Sequence, residues 1–111
     1  MEPNRRAKQM RNIFLNILEE SIDVKDRFIK GNVDLIVKGA ERLATCVVSG
    51  KKILIFGNGG SAADAQHIAA EFINRFQIER LPLAAIALTT DTSIITSSGK
   101  DYGFDEIFSK Q

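Results

Sequence analysis

Apolar residues recur along this chain with different periods, and the switches between them outline its elements. Met10, Ile13, Phe14, Ile17 and Leu18 fall at helical spacing, which predicts an amphipathic helix over 5–22. Asn32 can cap the free N–H groups at the start of a second helix. The stripe of that helix is Val33, Ile36, Val37, Ala40, Leu43, Ala44 and Val47, and Gly50 supplies the stop. Between Ile53 and Phe56 the helical period gives way to a short continuous apolar run, the pattern of a strand covered on both faces. Gly57-Asn58-Gly59-Gly60-Ser61 follows at once, and a third helix is predicted from there to about Phe76. Leu83 to Leu88, entered after Pro82, reads as a second buried strand. Thr89-Thr90-Asp91 then caps a helical turn through Ser98, residues 99–103 form a loop, and Phe104, Ile107 and Phe108 begin a further helix.

A strand, a helix and a strand with glycines at the first turn open a parallel α/β sheet. Both strands are apolar throughout, so each needs neighbours and helices on both faces. The last helical pattern is still in register at Gln111. The expected architecture is α/β: N-terminal helices over 1–50, then the first strands of a doubly wound, three-layer α/β/α sheet over 51–111. The chain reads as the front part of one larger domain.

Composition narrows the function classes. The sequence has 111 residues, 44% hydrophobic and 26% charged, as an ordinary globular domain has. Fifteen basic and 14 acidic side chains leave a net charge of +1, which offers no basic face for nucleic acid. One cysteine cannot form an internal disulfide, and no apolar run approaches the length of a membrane span. The charged N-terminal segment lacks the apolar core of a secretory signal. A soluble cytoplasmic domain is expected.

Candidate chemistry begins at the glycine loop. Glycines permit the sharp turn from strand to helix and let backbone N–H groups approach a ligand where the helix end favours negative charge. Ser61 can cap the helix or offer its hydroxyl to the same ligand. The loop suits a phosphate or a sugar hydroxyl, and a tight turn without a ligand is the plain alternative. Gly57-x-Gly59-x-x-Ala62 formally satisfies the dinucleotide fingerprint, which also requires an acid at the end of the second strand. Glu79 precedes that strand and Asp91 comes too late. The P-loop pattern fails, because no Gly-Lys-Ser/Thr follows.

On a helical wheel Asp64, His67, Glu71, Asn74 and Arg75 share a sector of about 100°, opposite Ala62, Ala65, Ile68, Ala69, Phe72, Ile73 and Phe76. His67 and Glu71, four apart, can hold one divalent metal from a single turn. Catalytic zinc usually takes three protein ligands, and this chain has no second His. The remaining ligands must come from elsewhere, and a solvated face with a His–Glu hydrogen bond is the alternative. Cys46 reads as a core residue, Asp91 as a helix cap and Asp101 as a turn residue.

The ordered set Gly57-Asn58-Gly59-Gly60-Ser61-Ala62-Ala63-Asp64-Ala65-Gln66-His67 with Glu71 and Arg75 closely resembles the phosphoheptose (sedoheptulose 7-phosphate) isomerases of the sugar-isomerase (SIS) domain superfamily. The likeness continues through Ala85-Ile86-Ala87-Leu88-Thr89-Thr90-Asp91 and Asp101-Tyr102-Gly103-Phe104. It implies a cytoplasmic homotetramer that converts sedoheptulose 7-phosphate to a manno-heptose 7-phosphate for lipopolysaccharide or other surface glycans. By this resemblance Asn58, Gly59, Gly60 and Ser61 contact the substrate, and Asp101 is a substrate-contacting acid. His67 and Glu71 match two zinc ligands, and Glu71 also matches the residue assigned to proton transfer. Ketose–aldose isomerisation removes a proton beside a carbonyl and returns it to the next carbon through an enediol, work that a positioned carboxylate can do.

Two departures qualify the likeness. Lys100 stands where family members have Asn. The family's Ser/Thr-rich phosphate loop, and the later Gln and His that complete the metal site, have no counterpart up to Gln111, so residues 1–111 alone are expected to be inactive. A rival class is a non-catalytic relative that binds the bacterial replication initiator, echoed in Ile73-Asn74-Arg75-Phe76 and Glu79-Arg80. Glu71 and the Asp101-Tyr102-Gly103-Phe104 segment favour the enzyme. A third reading is a stand-alone half-domain that only oligomerises or binds full-length subunits.

Overall fold

The computed structural model describes residues 3–111. They divide into two units, one ending at Glu41 and the other running from Arg42 to Gln111.

The first unit is formed by α1 (Pro3–Val48), a helix of 46 residues that continues into the second. Two helices were expected here, and the described residues form one. Asn32 caps nothing: it lies within the helix, and its Nδ2 donates to the Phe28 carbonyl at 2.8 Å. A helix interior tolerates Gly31 at a cost of about 1 kcal/mol and no proline interrupts this stretch. Pairs one turn apart span the same region, Arg27 Nε with Asp23 at 3.0 Å and Lys30 Nζ with Asp26 at 2.8 Å. The stripe Met10, Ile13, Phe14, Ile17 and Leu18 is exposed.

The end of α1 follows the sequence. Gly50 takes φ +75, its N–H donates to Val47 O at 3.2 Å, and Lys51 N–H reaches back to Cys46 O at 3.0 Å. This pair of bonds satisfies the last carbonyls and turns the chain into the sheet.

The sheet is β1 (Ile53–Ile55) and β2 (Ala85–Ala87), parallel as expected, with Leu54 opposite Ile86. Between them runs α2 (Gly60–Ile73), which packs on both strands. Both regular strands are shorter than their apolar runs, although Ile53 N–H to Ala84 O and Leu88 N–H to Ile55 O, each 2.9 Å, prolong the ladder. The core consists of Ala65 and Ala69 from α2 with Ala85, Leu88 and Ile107. Among the described residues only one face of the two strands is covered. Leu54 and Ile86, alternating with the inward residues, are about half exposed at 47% and 48%, so the expectation of helices on both faces is not met by these residues.

Asp91 caps α3 (Thr92–Asp101), its Oδ1 accepting from Ile94 N–H at 2.9 Å. The expected loop over 99–103 is mostly helix. Gly99 stays helical with Ile107 packed 3.8 Å from where its Cβ would stand, and the chain leaves α3 only at Tyr102 and Gly103, the latter at φ +112. The further helix is a single 3-10 turn over Phe104–Glu106. After it Phe108 stacks at a tilt on Phe56, centroids 5.1 Å apart, and Gln111 Nε2 donates to Leu88 O at 2.8 Å.

Candidate functional site

The loop between β1 and α2 is shaped by two glycines with different duties. At Gly57 a Cβ would fall 2.6 Å from the Ser61 Cβ, so this position has no room for a side chain. Gly59 adopts φ +58 and ψ −122, a region that L side chains rarely enter, and stands as the N-cap of α2 without a side-chain cap. Ser61 is therefore not the cap. Its N–H donates to Asn58 O at 3.0 Å, and the Ala62 and Ala63 N–H groups reach Gly59 O at 3.0 and 3.3 Å. Asn58, Gly59, Gly60 and Ser61 are all exposed, which leaves the Ser61 hydroxyl and the loop backbone open to a ligand. Thr89 Oγ1, at the end of β2, lies 3.4 Å from Ala62 O and ties the first turn of the helix to the sheet.

His67 and Glu71 stand one turn apart on α2, His67 Nε2 to Glu71 Oε1 at 3.1 Å. The imidazole is 75% exposed and the carboxylate 35%, so the pair faces solvent with Glu71 the more sheltered partner. Neutral His67 can donate from Nε2 to the carboxylate, and the other ring nitrogen is then an acceptor. Asp64 is exposed on the same helix.

Asn74 and Arg75 do not belong to this face. The helix closes at Ile73, Asn74 is its C-cap, and Arg75 Nη1 turns instead to Glu79 Oε2 at 3.0 Å. Asp101 is exposed at the end of α3, beside exposed Lys100, and α3 packs against the 3-10 turn and not against α2. The loop thus opens the helix that carries His67 and Glu71, while Asp101 ends a different helix that does not pack on it. Cys46 is half-buried and donates weakly from Sγ to Lys52 O at 3.4 Å, a packing role. His67 and Glu71 offer the nitrogen and oxygen donors that zinc accepts, but no group of three His, Cys, Asp or Glu side chains among the described residues could hold an ion.

Arg80, named above only in the likeness to the initiator binder, has a place at this site that the sequence reading did not assign. Its guanidinium sits on the C-terminal carbonyls of α2, Nη2 to Glu71 O at 2.8 Å and Nη1 to Phe72 O at 2.9 Å. The local sequence signal for this role was a cation shortly after a helix end. With Ile68, Glu71, Phe72 and Phe76 it lines a groove of about 270 Å³.

A glycine turn that presents exposed backbone at a helix N-terminus, on a parallel strand–helix–strand unit, with a carboxylate and an imidazole one turn apart further along, defines a class of domain. The chain belongs to the SIS domain family, whose model matches residues 17–111. Its relatives include the phosphoheptose isomerase of Nitratidesulfovibrio vulgaris strain Hildenborough, 56% identical over 105 residues that cover 95% of this chain and 50% of that protein. The phosphoheptose isomerase of Aquifex aeolicus is 58% identical over 95 residues, 86% of this chain and 50% of that one. Among solved structures, the phosphoheptose isomerase GmhA from Neisseria gonorrhoeae superposes with a TM-score of 0.81 at 47% identity, covering 92% of this chain and 52% of that chain. The phosphoheptose isomerase from Francisella tularensis gives 0.79 at 36% identity, covering 90% and 50%. The chain spans about half the length of the curated relatives it matches.

Proposed function

We propose that residues 1–111 supply the substrate loop and the proton-transfer helix of a sugar-phosphate isomerase that converts sedoheptulose 7-phosphate to a manno-heptose 7-phosphate. The observation that carries this reading is the Glu71 carboxylate, 3.1 Å from His67 Nε2 and on the helix that the glycine loop begins. Glu71 removes the proton from the carbon beside the ketose carbonyl and returns it to the former carbonyl carbon, while a proton passes from the neighbouring hydroxyl to the former carbonyl oxygen, so that the substrate goes through an enediol. His67 holds one oxygen of Glu71 and so fixes where the carboxylate points. The exposed backbone of Asn58, Gly59 and Gly60, with the Ser61 hydroxyl, engages sugar hydroxyls at the N-terminal end of α2. Asp101 is assigned to a further hydroxyl on the family likeness alone.

His67 and Glu71 are also the residues that would hold zinc, as two members of a larger ligand set. When bound, zinc supplies a Lewis acid that polarises the sugar oxygens. The product would feed the heptose of lipopolysaccharide or another surface glycan, in the cytoplasm, from a homotetramer. The exposed apolar stripe of α1 is consistent with subunit contacts. No described helix is long and apolar enough to cross a membrane. Binding to a replication initiator is disfavoured, because Glu71 is kept and the matched relatives bear the isomerase name.

The test is to purify the complete gene product that carries these residues and follow sedoheptulose 7-phosphate by NMR. Appearance of the aldose phosphate is the expected result. Absence of turnover overturns the reading.

A further inference from the structure

α2 ends at Ile73 with no basic residue in its last turn. Glu71 lies in that turn, where carbonyls lack intrahelical partners and helices fray. Arg80 supplies what the helix lacks. Its Nη2 donates to the Glu71 carbonyl at 2.8 Å and its Nη1 to the Phe72 carbonyl at 2.9 Å, both in part-buried surroundings. The same Nη1 stands 3.3 Å from Leu81 O and 3.4 Å from Asn74 O. Phe72 O accepts a second bond from Leu83 N–H at 3.0 Å, so the guanidinium and the approach to β2 grip one peptide group. A cation at a helix C-terminus is favoured by the macrodipole. The planar fork of arginine also meets two neighbouring carbonyls at once, which the single ammonium of lysine does less well.

We infer that Arg80 is a positioning residue for Glu71: it locks the last turn of α2 and thereby fixes the direction in which the Glu71 carboxylate projects. The inference rests on the proposed role of Glu71 in proton transfer. The Cα–Cβ direction of Glu71 is set by the backbone of its own turn, and Arg80 bonds the carbonyl of that same residue. His67 sits a full turn deeper in the helix, so an unwound end moves the carboxylate away from its imidazole partner. Arg80 acts through the backbone of Glu71, as a clamp.

The test uses the complete gene product and the variants Arg80→Gln, Arg80→Lys and Glu71→Gln. Arg80→Gln is expected to lower kcat about 10- to 100-fold, the scale of a misplaced catalytic group, with KM for sedoheptulose 7-phosphate changed less than about twofold. Arg80→Lys keeps the charge and recovers part of the loss. Amide hydrogen exchange at Ile73 and Asn74 is expected to quicken in Arg80→Gln and less so in Arg80→Lys. Should Arg80→Gln fail to fold, Arg80→Lys carries the comparison against wild type. A wild-type kcat per folded molecule in the variants overturns the inference, as does a fall in kcat with unchanged exchange at the end of α2. A wild-type protein without turnover sinks the isomerase reading, and the clamp is then judged on exchange alone, where no change in Arg80→Gln overturns it and faster exchange upholds it without a catalytic consequence.

Discussion

Gly57 and Ser61 are packed so closely that a Cβ on residue 57 would stand 2.6 Å from the Ser61 Cβ and 3.0 Å from its carbonyl carbon and oxygen. The obstructing atoms are mostly backbone, at the start of α2, and cannot swing aside as a flexible side chain would. Gly57→Ala is therefore expected to cost about 1–3 kcal/mol, the range for overpacking a close contact. Gly60→Ala, with nothing within 4 Å and an ordinary φ, is expected to be neutral or slightly stabilising. Urea unfolding of the two variants makes the comparison. Equal stabilities would refute the packing argument.

Glu71→Gln tests chemistry with little change in packing. Its partner His67 is largely exposed and the pair is worth little to stability. The substitution should leave unfolding within about 0.5 kcal/mol of wild type and lower kcat by about 10²–10⁴-fold, the contribution of a general base. Steady-state kinetics beside thermal melting would read both.

The metal assignment predicts a specific loss. His67→Ala should reduce the zinc content of the purified gene product, measured by elemental analysis, while the folded structure persists because the imidazole is 75% exposed. Zinc retained at the wild-type level in that variant would remove His67 from the ligand set.

Asp91 carries the start of α3 through one bond to Ile94 N–H at 2.9 Å. Asp91→Ala should destabilise by about 1 kcal/mol, and Asp91→Asn, which keeps an acceptor oxygen, by a few tenths. A chemical denaturation series distinguishes the two.

Ala65, 1% exposed, is where α2 meets the sheet. Ala65→Leu should cost about 1–3 kcal/mol by forcing helix and strands apart, whereas Ala63→Leu on the exposed side should stay within about 0.5 kcal/mol. Comparable melting temperatures for the two would place the helix on the wrong face.

Features that depend on near neighbours along the chain were legible in the sequence. A change of apolar period located both strands and the helix between them, since a continuous apolar run and 3.6-residue spacing are local properties. The glycine turn, the Gly50 stop and the Asp91 cap were readable for the same reason: each meets its partners within a few residues. The i,i+4 spacing placed His67 beside Glu71. Where elements stop, and what holds their ends, was settled by packing. Nothing in local propensity said that α1 would run through Asn32, because Gly31 and Asn32 weaken a helix without forbidding it. Period alone carried the third helix to Phe76, and the chain leaves it after Ile73, where Arg80 from nine residues beyond Glu71 and Leu83 at the approach to β2 take the free carbonyls. Those partners lie in the irregular segment beyond the helix, at separations that neither the helical nor the strand period encodes. The uncovered face at Leu54 and Ile86 is likewise a matter of which layers pack together, which an apolar run demands but does not itself provide.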